Sequence, residues 1–235
     1  MFRTITGVLA AGALALTLAT TLAAQQREFA QAQQANQAAL RQYSWKSRTE
    51  LTVHGEVKQV RLEQVRHDFD GRLQKTTIGG ESAAETSRSG PPGPGGALRK
   101  RVVARKTEAF KDMLGELAAL AESYAHPRAD RMQAFAARAV ITKGQGLETG
   151  SIRIQGRDLV LTGDTVTMWV APAGFAIRRV EIATRYGTDP VSILADYRSL
   201  ENGLTYQARA TLRYPDQAVE IVVETFDYAV TAMSR

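Results

Sequence analysis

The chain has 235 residues, 44% of them hydrophobic, so it can bury a proper core, and intrinsic disorder is not expected. It contains no cysteine, which excludes disulfides and the lipid-modified cysteine of a bacterial lipoprotein. The formal net charge of +6 indicates either a solvated basic surface or affinity for anionic groups.

The first residues, MFRTITGVLAAGALALTLATTLAAQQ, predict a secretory signal peptide. Arg3 gives a basic start, residues 5–22 are apolar, and small residues precede Ala24 at a suitable cleavage site. The alternative is an uncleaved anchor, because residues 5–22 approach the length of a membrane-spanning helix. We expect residues 1–23 to be removed and residues 24–235 to form one exported domain in a bacterial periplasm, membrane-associated if the segment stays. Export argues against nucleic acid as a partner.

The next segment predicts one helix followed by three strands. Apolar residues from Phe29 to Tyr43 recur on one helical face. From Lys46 the period changes to two, in SRTELTVHG, EVKQVRLEQVRHDFDG and RLQKTTIGG. The dipeptides His54-Gly55 and Asp70-Gly71 supply the turns of antiparallel hairpins.

Residues 81–98 predict a flexible excursion, because Gly, Ser and Pro crowd together there without a hydrophobic period. Three strands alone would not fold, so we interpret this segment as an excursion from one sheet and not as a domain boundary. The segment LRKRVVARK follows it. This basic cluster predicts either contact with an anionic membrane surface or an envelope protein, or an ordinary solvated helix start; its members are Arg99, Lys100, Arg101, Arg105 and Lys106.

A pair of amphipathic helices comes next. Apolar residues recur at steps of three and four from Val103 to Tyr124, and Pro127 ends that run. A second stripe extends from Met132 through Phe135 to Val140. Each helix therefore needs an apolar surface to cover.

Seven further strands are predicted after Gly150, each separated from the next by turn residues. They are SIRIQ, DLVL, DTVTMWVA, FAIRRVEIATRY, PVSILADYRSL, LTYQARATLRY and QAVEIVVETFDY. With the first three they make about ten strands, interrupted only by the helical pair. The pattern predicts an α+β fold, a large antiparallel sheet that must curl or close and whose apolar face the helices fill.

The hairpin VTMWVAPAGFAIRRVEI shows the two faces of this sheet. Val166, Met168 and Val170 alternate with Trp169, which therefore points to the opposite face. No catalytic constellation lies in this hairpin.

The chain resembles the outer-membrane lipoprotein carrier superfamily (LolA, LolB and RseB) over roughly residues 164–214. The matching positions are Trp169, Val170, Pro172, Arg179, Val180, Glu181, Ile182, Asp196, Tyr197, Arg198, Asn202 and Gly203. Ala171 and Ile177 depart from the motif. The resemblance implies an incomplete antiparallel barrel, covered by the N-terminal helix and the helical pair, around an apolar cavity that holds acyl chains in the carriers.

One strand gives an independent indication of space in the apolar face. In TYQARATLRYP, Ala208 and Ala210 lie mid-strand in a row that runs from Tyr206 to Tyr214. Their small size leaves room for a ligand or for a closely packed helix. The predicted ligand-binding residues are Val166, Met168, Val180, Ile182, Tyr206, Ala208, Ala210 and Leu212.

Enzyme patterns are absent from the sequence. Its three histidines are scattered without metal-ligand spacing, and no serine lies in a nucleophile motif. Glu220 and Glu224 share a strand face, where a glycosidase pair is possible in principle, but charges paired with Arg209 or Arg213 are the plainer interpretation. We expect no catalytic residue, metal or cofactor.

The sequence therefore leads to two functional hypotheses. The first is a non-catalytic envelope protein that binds or carries a hydrophobic ligand, such as a lipid or a lipidated protein. The alternative is an RseB-like interaction or signalling module whose cavity is filled by its own side chains.

Overall fold

The computed structural model describes residues 28–29, 31–82, 96–143 and 150–231, and within these ranges the side chains of residues 82 and 96–104 are not described. The predicted signal peptide, residues 1–23, lies outside the described residues. Residues 83–95, the greater part of the predicted excursion, also lie outside the described residues. At the borders of that excursion, residues 81–82 belong to a strand and residues 96–98 to a helix.

Ten strands and three α-helices make up the described part of the chain. The helices are α1 (residues 31–40), α2 (Gly96–Ala125) and α3 (Ala129–Arg138), and a short 3₁₀-helix covers Pro215–Gln217. The strands are β1 (Tyr43–Val53), β2 (Glu56–His67), β3 (Leu73–Ser82), β4 (Val140–Lys143), β5 (Ile152–Arg157), β6 (Thr165–Val170), β7 (Ile177–Tyr186), β8 (Asp189–Ser199), β9 (Thr205–Tyr214) and β10 (Val219–Val230). Among the described helices, none is long and apolar enough to cross a membrane.

All ten strands belong to one antiparallel sheet with the order β3-β2-β1-β10-β9-β8-β7-β6-β5-β4. The first strand, β1, lies inside the sheet, and the chain continues from it to β3 at one edge. It then crosses through α2 and α3 to β4 at the other edge and returns strand by strand to β10, which pairs with β1. β3 and β4 are edges, so the sheet is not closed. This confirms the predicted α+β class with an incomplete antiparallel barrel of ten strands.

The two faces of the sheet have different chemistry, as the central hairpin predicts. Met168 pairs with Ile154 and Val180, whereas Trp169 pairs with Arg153 and Arg179. Cross-strand partners lie on one face. We call the face of Met168 the helix-covered face and the face of Trp169 the charged face.

The core lies between the helix-covered face and the helices. Leu117 and Tyr124 of α2 and Phe135 of α3 are buried in one cluster with residues of the sheet. The sheet contributes Val166, Met168, Val170, Ile182, Val191, Ile193, Leu212, Tyr214 and Val219. Burial of this apolar area is the main stabilising contribution to the fold.

A glycine allows α3 to lie directly on the sheet. A Cβ built on Gly156 would come 2.5 Å from Cε2 of Phe135. Phe135 is itself buried, with 1% of its surface exposed. Only glycine at residue 156 therefore lets this ring reach the sheet.

Two elements differ from the sequence-based expectation. The segment DLVL, predicted as a strand, is a turn whose Leu159, Val160 and Leu161 N–H groups donate to the Asp164 carboxylate, so they cannot join a ladder. Val140 was predicted on the second helical stripe, but Ala139 is already extended (φ −68°, ψ 138°) and Val140 begins β4. The total of ten strands is correct because these two errors cancel.

Helix α1 is attached to the sheet by its polar side chains. The Nδ2 of Asn36 donates to the Thr205 carbonyl oxygen at 2.7 Å, and its Oδ1 accepts from the Thr205 N–H at 2.7 Å. Gln33 donates to the carbonyl of Phe175 at 2.9 Å, and the rings of Phe29 and Phe175 meet edge to face. The helix thus joins the β6–β7 turn to the start of β9.

Candidate functional site

The helices bury some parts of the helix-covered face and leave other parts accessible. Its register places Val180, Ala195, Ala210, Val223 and Thr49 side by side on five neighbouring strands. We call these five residues the alanine row. Ala195 is buried at 6% exposure, but Ala210 and Val223 are only half-buried and stand outside the buried cluster. Apolar surface in the middle of the sheet is therefore partly accessible.

Aromatic side chains lie beyond the alanine row on the same face. Every second residue of β1 points to this face, which places Trp45 in line with Ser47 and Thr49. The Trp45 ring stacks on that of Tyr228, with ring centroids 5.4 Å apart and an interplanar angle of 10°. Tyr228 also contacts Tyr206, with centroids 4.3 Å apart. Burial raises the pKa of Tyr228 to about 12. These half-buried rings extend the partly accessible surface across β9, β10 and β1.

His67 lies at the end of the aromatic group. Its ring centroid is 5.6 Å from that of Trp45, and its buried Nδ1 has no hydrogen-bond partner among the described residues. Burial lowers the pKa of His67, and the nearby positive charge of Arg41 lowers it further. The imidazole is therefore held towards its neutral form, and it adds an uncharged ring to the group.

Next to these rings the floor of the helix-covered face becomes polar. Ser47 is 8% exposed and pairs with Glu63, and Thr49 pairs with Arg61. The Arg61 Nη1 and Glu63 Oε1 atoms are 3.8 Å apart. The surface therefore combines an apolar strip with a polar border on β1 and β2.

The predicted ligand-binding residues divide into three groups. Val166, Met168, Ile182 and Leu212 belong to the buried cluster and face the helices. Val180 and Ala210 lie in the alanine row, while Tyr206 and Ala208 lie where β9 changes register. The structure therefore brings only part of the predicted set to the accessible strip.

The register change interrupts the row that the sequence predicts on β9. Asp196 pairs with Arg209, but the next residue, Tyr197, pairs with Gln207. One additional residue in β9 interrupts the regular alternation at this point, so Tyr206 does not follow Ala210 and Leu212 at regular spacing, and its ring instead contacts that of Tyr228. The sequence carries no signal for this bulge, because it depends on the pairing with β8.

The predicted basic cluster lies in the first part of α2. The side chains of Arg99, Lys100 and Arg101 are outside the described residues, whereas Arg105 and Lys106 are exposed. Its contact with an anionic surface stays a prediction.

The charged face carries a ladder of ion pairs. The guanidinium of Arg209 lies 2.9 Å from Glu224, and that of Arg213 lies 2.6 Å from Glu220. This confirms that the two glutamates are paired charges. Each such surface pair contributes only about 0–1 kcal/mol.

A buried polar network, which the sequence did not reveal, joins α2 to the sheet. The Tyr124 hydroxyl lies 2.7 Å from both Asp164 Oδ2 and Thr184 Oγ1, and Asp164 is only 2% exposed. Burial raises the pKa of Asp164, but three backbone N–H groups and the Tyr124 hydroxyl outweigh it and hold the pKa below its usual value. With every donor satisfied, the network is structural.

No family model and no curated protein matches the sequence. A LolA superfamily protein from Nitrosomonas europaea is similar in structure over 82% of this chain and 87% of its own, with 10% identity and a TM-score of 0.37. A DUF1329 family protein from Desulfovibrio piger is similar over 89% and 94%, with 9% identity and a TM-score of 0.41. At these values neither similarity transfers a ligand, a partner or a residue role to this chain.

Proposed function

We propose that this protein, once exported, binds or carries a hydrophobic molecule in the cell envelope, either a lipid or a lipidated protein, without catalysis. The alanine row is the observation that supports the proposal most. Ala210 and Val223 lie on the face that builds the core, yet the helices leave them half-buried. Apolar surface of this kind, with small side chains beside aromatic rings, suits an acyl chain.

The polar border gives the ligand a direction. An acyl chain would lie along the alanine row and the aromatic group, while a polar end would lie towards Ser47, Arg61 and Glu63. This arrangement matches the general pattern of ligand sites, which are mostly apolar with a few polar groups that fix orientation. The alternative is an interaction module whose helices and side chains fill the same space.

The test measures binding of a fluorescent fatty acid and urea unfolding on the same variants. Ala210→Leu should weaken probe binding about tenfold or more and leave stability unchanged or raised, because the added methylenes occupy accessible space. Ala183→Leu is the matched control, since Ala183 is an exposed alanine of β7 on the charged face. It should bind the probe like the original protein.

The opposite result would support the interaction module. If the original protein binds no acyl probe and Ala210→Leu costs about 1–3 kcal/mol, the space is already filled and the carrier proposal fails. Organic extraction and mass spectrometry of the purified protein provide a second readout, because a carrier should retain lipid from its host.

A further inference from the structure

A depression of about 420 Å³ lies at the β4 edge of the sheet, away from the alanine row. It is lined by residues of β5 and β6, by the first residue of β4 and by the end of α3. The side chains that matter for its chemistry are Arg138, Val140, Gln155, Arg157, Asp158 and Thr165. Its volume falls within the range of about 300–1,000 Å³ that is typical of small-molecule sites.

Among the described residues, this depression holds more arginines than carboxylates, whereas several arginines elsewhere on the charged face are paired. Elsewhere on that face Arg179, Arg209 and Arg213 each pair with a carboxylate. Of the two arginines in the depression, Arg138 lies 3.6 Å from Asp158, and Arg157 forms no ion pair with any described carboxylate. Among the residues that the structure describes, two guanidinium groups thus share one carboxylate.

The other arginine of β5, Arg153, lies near the opposite end of the strand and does not line the depression. Arg153 lies on the same face and donates from Nη2 to Gln155 Oε1 at 3.1 Å. Its Nε atom is buried and has no hydrogen-bond partner among the described residues.

The walls of the depression are held by contacts that do not involve a ligand. Phe135 is fixed against Gly156, and Arg138 follows it by about one helical turn and donates from Nε to the Ala134 carbonyl at 3.1 Å. On the other side, Asp158 Oδ1 accepts from the Gly163 N–H at 2.7 Å. β4 begins at Val140, opposite Gln155, so Arg157, two residues further along β5, has no strand partner on that side. The site is therefore largely formed before anything binds.

We propose that this depression binds the phosphate or carboxylate group of a small organic anion. Arg157 and Arg138 hold the anionic group, since a guanidinium offers a planar pair of N–H donors that matches both anions. Gln155 and Thr165 supply neutral donors. Val140, which is 65% exposed, offers an apolar contact to the organic part. This site is independent of the hydrophobic ligand proposed above.

The experiment titrates the protein with inorganic phosphate, glycerol phosphate and vesicles that contain phosphatidic acid, and follows backbone amide resonances of residues 155–158 and 165. We expect saturable shifts at these residues, which weaken with added salt. Arg157→Gln and Arg138→Gln should each weaken binding about tenfold or more, because each removes a charge-assisted hydrogen bond. Arg185→Gln is the control, an exposed arginine on the same face outside the depression.

Comparison of the free phosphates with the vesicles distinguishes a soluble anion from a lipid headgroup. Binding of the free phosphates that depends on Arg157 supports a soluble ligand, and binding of vesicles alone that depends on Arg157 supports a lipid headgroup. The proposal is overturned if the amide resonances do not shift with any probe, or if Arg185→Gln weakens binding as much as Arg157→Gln. Thermal unfolding of each variant shows whether a loss of binding reflects a loss of fold.

Discussion

The hydroxyl of Tyr124, near the end of α2, donates a 2.7 Å hydrogen bond to the carboxylate of Asp164, which precedes β6. The same carboxylate accepts the N–H groups of Leu159, Val160 and Leu161, each at 2.9 Å. One side chain therefore both shapes the β5–β6 turn and attaches the long helix to the sheet.

Asp164→Asn should destabilise the protein by about 3 kcal/mol, because an amide nitrogen would face buried N–H donors that need an acceptor. Tyr124→Phe removes only the hydroxyl, so it should cost about 1 kcal/mol. Urea denaturation measures both values. Equal losses would show that the turn does not depend on the carboxylate.

Acid should weaken the protein partly through Asp164. Its pKa lies below the usual value in the folded state, so the unfolded chain binds more protons and stability falls as pH decreases. The contribution is complete above the unfolded value of about 3.9 and is lost as pH falls through the folded pKa. Urea midpoints between about pH 6 and pH 3 should fall less steeply for Asp164→Asn than for the original protein. Parallel slopes would contradict this assignment.

Gly156→Ala should destabilise the protein by about 1–3 kcal/mol, because the new Cβ would overlap the ring of Phe135. Gly115→Ala is the matched control. Nothing lies within 4 Å of a Cβ at Gly115, which is in the interior of α2, so this change should stabilise by about 0.5–1 kcal/mol. Thermal or urea unfolding compares the two.

A double-mutant cycle tests the cause of that loss. Adding Phe135→Leu to Gly156→Ala should cost less than the sum of the two single changes, since the smaller side chain gives room for the Cβ. Additive losses would mean that the ring contact is not what excludes alanine.

Asn36→Ala should loosen α1 from the sheet, because both bonds to the Thr205 backbone are lost and the Thr205 N–H and carbonyl lose their partner. We expect a cost of about 1–2 kcal/mol and faster amide hydrogen exchange within residues 31–40. Gln37→Ala, at an exposed position of the same helix, should leave both unchanged. If the two variants exchange alike, the helix is held by other contacts.

The sequence by itself determined the elements whose signals are local. His54 and Gly55 both have positive φ (53° and 79°), as the predicted tight hairpin turn requires. The alternation of Met168 and Trp169 correctly predicted which side chain faces the helices. The strand count and the α+β class follow from hydrophobic periods and turn residues, which depend on neighbours in the chain.

Only the tertiary structure decided the features that depend on pairing between distant segments. DLVL has the apolar pattern of a strand, but the Asp164 carboxylate takes the backbone donors that a strand needs. The bulge in β9 is set by its partner β8, and it moves Tyr206 out of the predicted row. The depression beside Arg157 depends on the contact between Phe135 and Gly156. These two residues are separated in the sequence by a strand and a loop. The hydrophobic period of a strand indicates which of its residues face the core. It does not indicate which residues of distant segments pack against them, and a binding site is formed by both.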